Sequence, residues 1–293
     1  MVIVNILVYV VIMVGCIKGD PGTSDHLQDI FIGRCWDYTE IKYKQQIGSM
    51  VVNCSDLWNT FYAAFSYRAP CDLSMQRYAD FMAKASQTLP RNKAMFWSGT
   101  YNIAHEYADN GKRYVTLEDT LVGYLANQLS WCGSSSDGAN MTRCPSWADC
   151  PLEASESFWA SASKQFASSA IGDVYLMLDG SRDKPAYSPN SFFGKYELPN
   201  LQEVDTVVIL VTHNVTEPPK ETCTTGSLLE LQEDIRSRGL IYNCIDDLDA
   251  VRHLLCADDP EARECKMVHP PTSHEIINTE LPKFNSRPDR FYY

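Results

Sequence analysis

The chain is poor in positive charge. It sets 25 Lys and Arg against 37 Asp and Glu, for a formal net charge of −12 over 293 residues and a pI near 4.9. Such a chain repels phosphate backbones, which excludes nucleic acid and anionic membrane surfaces as general partners. A bound phosphate must be held by local N–H groups or a few residues, against the overall field. Long apolar runs are scarce too. Residues 2–14 form one, shorter than the roughly 20 residues of a membrane-spanning helix, and no other stretch reaches that length. The closing Arg290-Phe291-Tyr292-Tyr293 lacks the hydrophobic tail of a lipid-anchor signal. Common catalytic signatures are missing: there is no GxSxG, HExxH, phosphate-loop GxxxxGK[ST] or GxGxxG. No Cys-x-x-Cys pair occurs, and the six histidines (His26, His105, His213, His253, His269, His274) are scattered, which argues against a metal site. Asp179-Gly180-Ser181-Arg182-Asp183 begins like a calcium loop but lacks its glycine and closing glutamate, so it reads as a turn.

Hydrophobic residues make up 45% and charged residues 21%, enough for a proper core and for two lobes at most. The run at 2–14, followed by Gly15-Cys16-Ile17 and a turn-rich Asp20-Pro21-Gly22, suits a secretory signal peptide ending near residue 24, although no Lys or Arg precedes it. Met13-Val14-Gly15-Cys16 also resembles a lipoprotein cut site. The expected location is outside the cell or in secretory vesicles or granules. Cysteine usage agrees. Of 11 Cys, Cys16 falls in the signal, and the ten from Cys35 to Cys265 allow up to five disulfides whose pairing counting cannot select. Sequons stand at Asn53, Asn140 and Asn214; the first has Cys at its middle position, leaving Asn140 and Asn214 as glycosylation candidates.

Periodicity divides the chain. Ser55 can cap a helix carrying Leu57, Phe61 and Phe65, and Met75, Tyr78, Met82 and Ala85 mark another that stops before Leu89-Pro90. Ala94-Met95-Phe96-Trp97 is strand-like. Thr116-Leu117-Glu118-Asp119 opens a helix with Leu121, Leu125 and Leu129 on its buried stripe. A further helix from 153 to 170 buries Phe158, Ala162 and Phe166. Beyond Gly172 the continuous runs at 174–178 and 207–211 have the pattern of parallel strands buried on both faces. Helices at 228–235 and 247–255 flank a strand at 240–244. The expected fold class is α/β, two-lobed: a mainly helical lobe over 25–170, an α/β lobe with a small parallel sheet over 171–266, and a loose tail over 267–293.

A few carboxylates and tryptophans sit at segment edges: Trp97, Glu118, Trp159 and Glu197. Such a set could stack flat rings between indoles and set a carboxylate against a developing cation. Composition favours blander roles, with tryptophans in the core, Thr116-x-x-Asp119 as a capping box and Glu197 as a solvated loop residue. The residues alone stop at a secreted, disulfide-rich, two-lobed protein.

Longer stretches go further. Met95-Phe96-Trp97-Ser98-Gly99, Tyr114-Val115-Thr116-Leu117-Glu118-Asp119-Thr120-Leu121, Ser130-Trp131-Cys132-Gly133, Glu156-Ser157-Phe158-Trp159 and Ser191-Phe192-Phe193-Gly194-Lys195-Tyr196-Glu197-Leu198-Pro199-Asn200 are collinear with the ADP-ribosyl cyclase family. The chain resembles its soluble molluscan members most closely, from about 31 to 265. The resemblance implies that NAD is a substrate rather than a cofactor, and that the bond broken joins nicotinamide to ribose. Glu197 corresponds to the catalytic glutamate, Trp97 and Trp159 to the stacking tryptophans, and Glu118 to the residue that reads the nicotinamide carboxamide. Asn127 matches a neighbouring site position; Ser98, Gly99, Phe192 and Phe193 match loop positions whose hydroxyl or backbone N–H groups face the pyrophosphate, without any basic patch. Glu118 and Asn127 lie nine residues apart, on opposite faces of a straight helix, so the chain before about Asp119 should not yet be helical. Phe192 stands where hydrolase-type relatives carry a smaller polar residue, which favours cyclic ADP-ribose over ADP-ribose. Base exchange on NADP, a link to calcium signalling through the cyclic product, and a homodimer are implied as well. So are disulfides Cys35–Cys54, Cys71–Cys150, Cys132–Cys144, Cys223–Cys244 and Cys256–Cys265, and passage of residues 94–115 into the sheet lobe. The competing readings are a glycohydrolase releasing mainly ADP-ribose and an inactive secreted binding protein on the same scaffold.

Overall fold

The structure is a computed structural model that describes residues 22–42, 52–148, 150, 152–214 and 217–258. The segment read as a signal peptide lies outside these apart from 22–24, as do the tail from 267 and Cys265. Six strands occur among the described residues: β1 (Met95–Ser98), the short antiparallel pair β2 (Gly133–Ser134) and β3 (Gly138–Ala139), then β4 (Ile171–Asp179), β5 (Glu203–Thr212) and β6 (Ile241–Asp246). Four of them form one parallel sheet in the order β1-β4-β5-β6, with Trp97 opposite Met177 and Leu178 opposite Val211. The fold is α/β, as expected.

Alternation along the strands covers both faces of the sheet. Phe96, Leu176, Leu178, Val207, Ile209 and Val211 point into the main core, which reaches back to Leu27. Met95, Met177, Val208 and Leu210 enter a smaller core with Ile103 and Val251. With both faces covered, period-two polarity is lost and the strands read as continuous apolar runs.

The helices are α1 (Leu27–Asp37), α2 (Cys54–Phe65), α3 (Ala79–Lys84), α4 (Tyr101–Ala108), α5 (Leu121–Ala126), α6 (Ala154–Ser168), α7 (Ser227–Ser237) and α8 (Asp249–Asp258). Three readings need correction. The α2 cap is Asn53, whose side chain accepts from the Asp56 N–H, and Ser55 lies inside the helix. The helix expected from Met75 begins as a 3-10 turn, Met75–Tyr78. The capping box at Thr116 is real but closes only a 3-10 turn, Leu117–Asp119. Leu129 therefore falls beyond the helix that was expected to bury it.

Aromatic packing ties the helices together. Phe61 of α2 is ringed by Phe31, Phe65, Tyr78, Phe81, Trp131 and Phe158, with centroids 4.8 to 6.2 Å away. Each such pair adds about 0.5–1.5 kcal/mol beyond area burial. Trp131 is fully buried, and its indole N–H donates to the Tyr78 hydroxyl at 3.0 Å. Four of the implied disulfides are formed: Cys35–Cys54, Cys71–Cys150, Cys132–Cys144 and Cys223–Cys244. The fifth requires Cys265, which is not among the described residues.

Candidate active site

A cavity of about 560 Å³ opens at the carboxyl end of β1, the usual place for a ligand crevice in a parallel sheet. Trp97 is the penultimate residue of that strand and lines the cavity together with Ser98 and Gly99. Gly99 turns the chain into α4 with φ at +77°, a left-handed conformation suited to glycine. A Cβ there would stand 2.7 Å from Arg182 Nη1, so a guanidinium lies against this corner of the site. Its Nε and Nη2 donate to the Pro185 and Ala186 carbonyls. Arg182, which the sequence presents only as part of a turn, thus stands beside the site as a single cation and not as a basic patch.

Helix α4 was not foreseen. It places Tyr101 and His105 one turn apart, their rings 4.1 Å between centroids, with Trp97 edge-on to both. The Trp97 indole N–H donates to Glu118 Oε2 at 3.3 Å. Ile103, Ala104, Tyr107 and Ala108 are the apolar i, i+4 signal that could have revealed this helix.

Glu118 and Asn127 both reach the cavity, and a break between them explains how. The 3-10 turn ends at Thr120, which is extended (φ −78°, ψ 161°) and caps α5 by accepting from the Gly123 N–H. Asn127 then leaves α5 with ψ at 129°, and its Nδ2 donates to the Tyr101 hydroxyl at 3.3 Å. Arg34 of α1 fastens this end by donating from Nη1 to the carbonyls of Tyr124, Leu125 and Asn127. A cation there satisfies the free carbonyls of the helix C-terminus. Gly123 allows the turn to fold back. A Cβ at this position would press on the Leu117 carbonyl and stand 2.7 Å from Glu118 Cα. Gly123→Ala is therefore expected to displace Glu118, costing about 1–3 kcal/mol of stability, read from chemical denaturation. Any activity the site carries should fall with it. A variant with unchanged stability and activity would show that the turn yields freely.

On α6, Phe158 enters the core while Ser155, Trp159 and Ser163, spaced by four, face the cavity. Trp159 meets Phe158 at a right angle, 5.3 Å between centroids. Against this helix lies the π-helical turn Phe193–Glu197. Single π turns favour functional sites because they re-aim one side chain. Glu197 is 8% exposed, not the solvated loop residue its neighbourhood suggested. Burial pushes its carboxyl up to about 8; the Ser163 hydroxyl bonded to it opposes this, and the charge of Glu118 adds to it. Phe192 lines the rim and stacks on Trp147 at 5.3 Å, while the Trp147 indole donates to Ser155 Oγ. Phe193 was expected to offer a ligand its backbone, and its ring packs elsewhere. Its side chain is buried against Phe96 and absent from the cavity wall, leaving only its backbone N–H for a ligand.

The site therefore gathers Trp97, Ser98, Gly99, Glu118, Asn127, Trp159, Phe192 and Glu197 in one cavity. Tyr101, Trp147 and Ser163 join them unannounced. Among the described residues no group of His, Cys, Asp and Glu could hold a metal ion, and no helix is long and apolar enough to cross a membrane. The arrangement suits a flat, electron-poor ring held by indoles, with a buried carboxyl ready to face positive charge.

A family model described as ADP-ribosyl cyclase matches residues 24–265. The chain is 48% identical over 247 residues to the ADP-ribosyl cyclase/cyclic ADP-ribose hydrolase of Aplysia kurodai, covering 83% of this chain and 88% of that one. It is 34% identical over 249 residues to the human ADP-ribosyl cyclase/cyclic ADP-ribose hydrolase 2, covering 84% and 77%. Among solved structures, Aplysia cyclase complexed with substrate NGD and product cGDPR superposes with a TM-score of 0.80 at 46% identity, covering 83% of this chain and 98% of that one. Apo porcine CD38 gives 0.70 at 32% identity, covering 78% and 98%.

Proposed function

Because the chain belongs to the ADP-ribosyl cyclase family, we propose that it breaks the nicotinamide–ribose bond of NAD and closes the ribosyl end onto its own adenine, giving cyclic ADP-ribose. The observation that carries this reading is a buried carboxyl, Glu197, sharing one cavity with Trp97, Trp159 and a second carboxylate, Glu118.

The chemistry follows from charge. Nicotinamide leaves as a neutral base, taking the bonding electron pair, so a strong general acid is unnecessary. The positive charge that grows on the ribosyl carbon is what needs help. Glu197 supplies it: its carboxyl is held near 8 by burial in the free protein, and a bound pyridinium cation draws it into the ionised form. Trp97 and Trp159 stack on the pyridinium, a cation–π contact that favours the charged substrate over the neutral product. Glu118 accepts from the carboxamide N–H, with Asn127 beside it. Ser98, Gly99 and the backbone around Phe192 and Phe193 face the pyrophosphate.

The ribosyl intermediate then has two fates. Attack by adenine N1 gives the cyclic product, and attack by water gives ADP-ribose. The stacked Phe192–Trp147 pair at the rim favours the first, since a dry wall raises the effective concentration of the internal nucleophile. Chromatography of products from purified protein and NAD tests this directly: mainly cyclic ADP-ribose is expected, and no NAD consumption would end the proposal. Phe192→Gly should raise the linear-to-cyclic product ratio about tenfold, a barrier difference near 1.4 kcal/mol. An unchanged ratio would remove the rim from product control. The same reading carries base exchange on NADP, a secreted or vesicular location, glycans at Asn140 and Asn214, and pairing into a homodimer.

A further inference from the structure

His105 is not part of the cavity wall, and the reaction above does not use it. Both of its ring nitrogens are nonetheless committed. Nδ1 lies 2.7 Å from the Tyr101 backbone carbonyl, which can only accept, so Nδ1 carries a proton. Nε2 lies 3.3 Å from Glu118 Oε2 and 3.5 Å from Thr116 Oγ1. The Thr116 hydroxyl gives its own proton to Asp119 Oδ2 at 2.8 Å, so it too offers a lone pair to the ring. A neutral imidazole would turn a bare Nε2 toward two oxygens. With both nitrogens protonated, every contact is attractive.

The surroundings agree. The His105 and Glu118 side chains are 21% and 11% exposed, so water screens them little. Glu118 and Asp119 face the ring from the 3-10 turn, Tyr101 from its own helix and Trp97 from β1. Helix α8 meets the opposite face of α4 through Val251 and Leu254, both apolar. Burial alone would lower the basicity of the ring. The hydrogen bond and charge of Glu118, with the Tyr101 carbonyl and Asp119, more than reverse this and hold it above the ordinary histidine value.

Glu118 Oε2 thus takes two donors, the Trp97 indole and His105 Nε2, each at 3.3 Å. Oε1 accepts no hydrogen bond from the described residues. We propose that His105 is a positioning residue, an imidazolium that clamps Glu118 Oε2 beside Trp97 and so reserves Oε1 for the amide N–H of the departing base. This rests on the reading of Glu118 given above. A carboxamide presents a donor to Oε1, whereas a carboxylate would present lone pairs, so the clamp also sets a preference for amide-bearing bases. The two acceptors at the His105 nitrogens hold the ring protonated and raise its basicity, so the clamp depends on pH. It opens as pH rises through that raised value.

The test uses His105→Ala, His105→Gln and Glu118→Gln, with inhibition by nicotinamide and by ADP-ribose measured from roughly pH 6 to 9, the span of histidine titration. In the unaltered protein nicotinamide inhibition should weaken along the alkaline side while ADP-ribose inhibition does not. His105→Ala should weaken nicotinamide inhibition about tenfold at neutral pH, as expected for losing a charged hydrogen bond, with ADP-ribose unchanged. His105→Gln keeps a neutral donor near the Nε2 position. It should stay within about threefold at neutral pH yet lose the pH dependence, which separates the charge from the hydrogen bond. It also carries the test if the alanine variant does not fold. The proposal is overturned if both variants keep the normal inhibition constant and pH profile, or if both inhibitors weaken together with a lowered melting temperature. Should Glu118→Gln weaken nicotinamide while the His105 variants do not, the clamp fails and the role of Glu118 stands. Should Glu118→Gln also be silent, that role itself fails.

Discussion

Replacing Glu197 by Gln should lower turnover of NAD at least about 10³-fold while leaving NAD affinity within a few-fold. Glutamine keeps the volume and hydrogen-bonding shape but cannot offset a full positive charge in a site that excludes water. Product chromatography and equilibrium binding on one preparation would read the two effects separately, and retained turnover would remove Glu197 from the mechanism. The same variant should move stability the other way. The native carboxyl sits near 8, against an ordinary value of 4.5, so over that interval the folded state holds a proton that the unfolded chain releases. Stability from this group is complete below the ordinary value and is lost as pH rises through about 8. Gln does not titrate, so its advantage should grow by about 1.4 kcal/mol per pH unit across that window. Thermal unfolding at two pH values would reveal it. A variant dead in catalysis yet firmer in fold is difficult to explain by misfolding. With normal protein, kcat/KM should climb with pH toward about 8 as the carboxylate forms.

The second large effect belongs to Trp97. Trp97→Ala removes both a stacking surface for the pyridinium and the N–H donor to Glu118 Oε2. Together these contacts are worth about 2–3 kcal/mol, so kcat/KM should fall about 30- to 150-fold. Trp97→Phe keeps the flat ring and loses only the donor, which predicts a fall of about three- to tenfold. Steady-state kinetics on the pair separates stacking from orientation. An alanine variant within about threefold of normal would place the substrate ring elsewhere.

What sequence periodicity could reach was governed by burial. The strands at Met95–Ser98, Ile171–Asp179 and Glu203–Thr212 were legible because both their faces are covered, and α6 because Phe158, Ala162 and Phe166 repeat on a straight helix. The nine-residue spacing of Glu118 and Asn127 even required a break, which Thr120 provides. Side-chain environment was another matter. Glu197 follows an aromatic, glycine-containing loop, Phe192 to Tyr196, and a glutamate in a loop reads as solvated. Only the packing of its π turn on α6, far away in sequence, buries it. Trp147 has no periodic context and reaches the rim from a loop held by two disulfides, Cys132–Cys144 and Cys71–Cys150. His105 looked like one of six scattered histidines, because its meaning lies in Thr116 and Glu118 across a turn. The roles themselves came from family likeness; geometry supplies the physical reasons why those residue types suit them.

The wall of the cavity is assembled from stretches near 95–99, 117–129, 147–166 and 192–197. None of the four disulfides closes a loop that holds both Glu118 and Glu197. Strand β1 gains its partner β4 only some eighty residues later in the chain, and Glu197 comes later still. A growing polypeptide therefore carries its tryptophans and its first carboxylate long before any hollow exists to hold a dinucleotide. Competence arrives late and all at once, so an unfinished chain is chemically silent toward the metabolite that the finished one would consume.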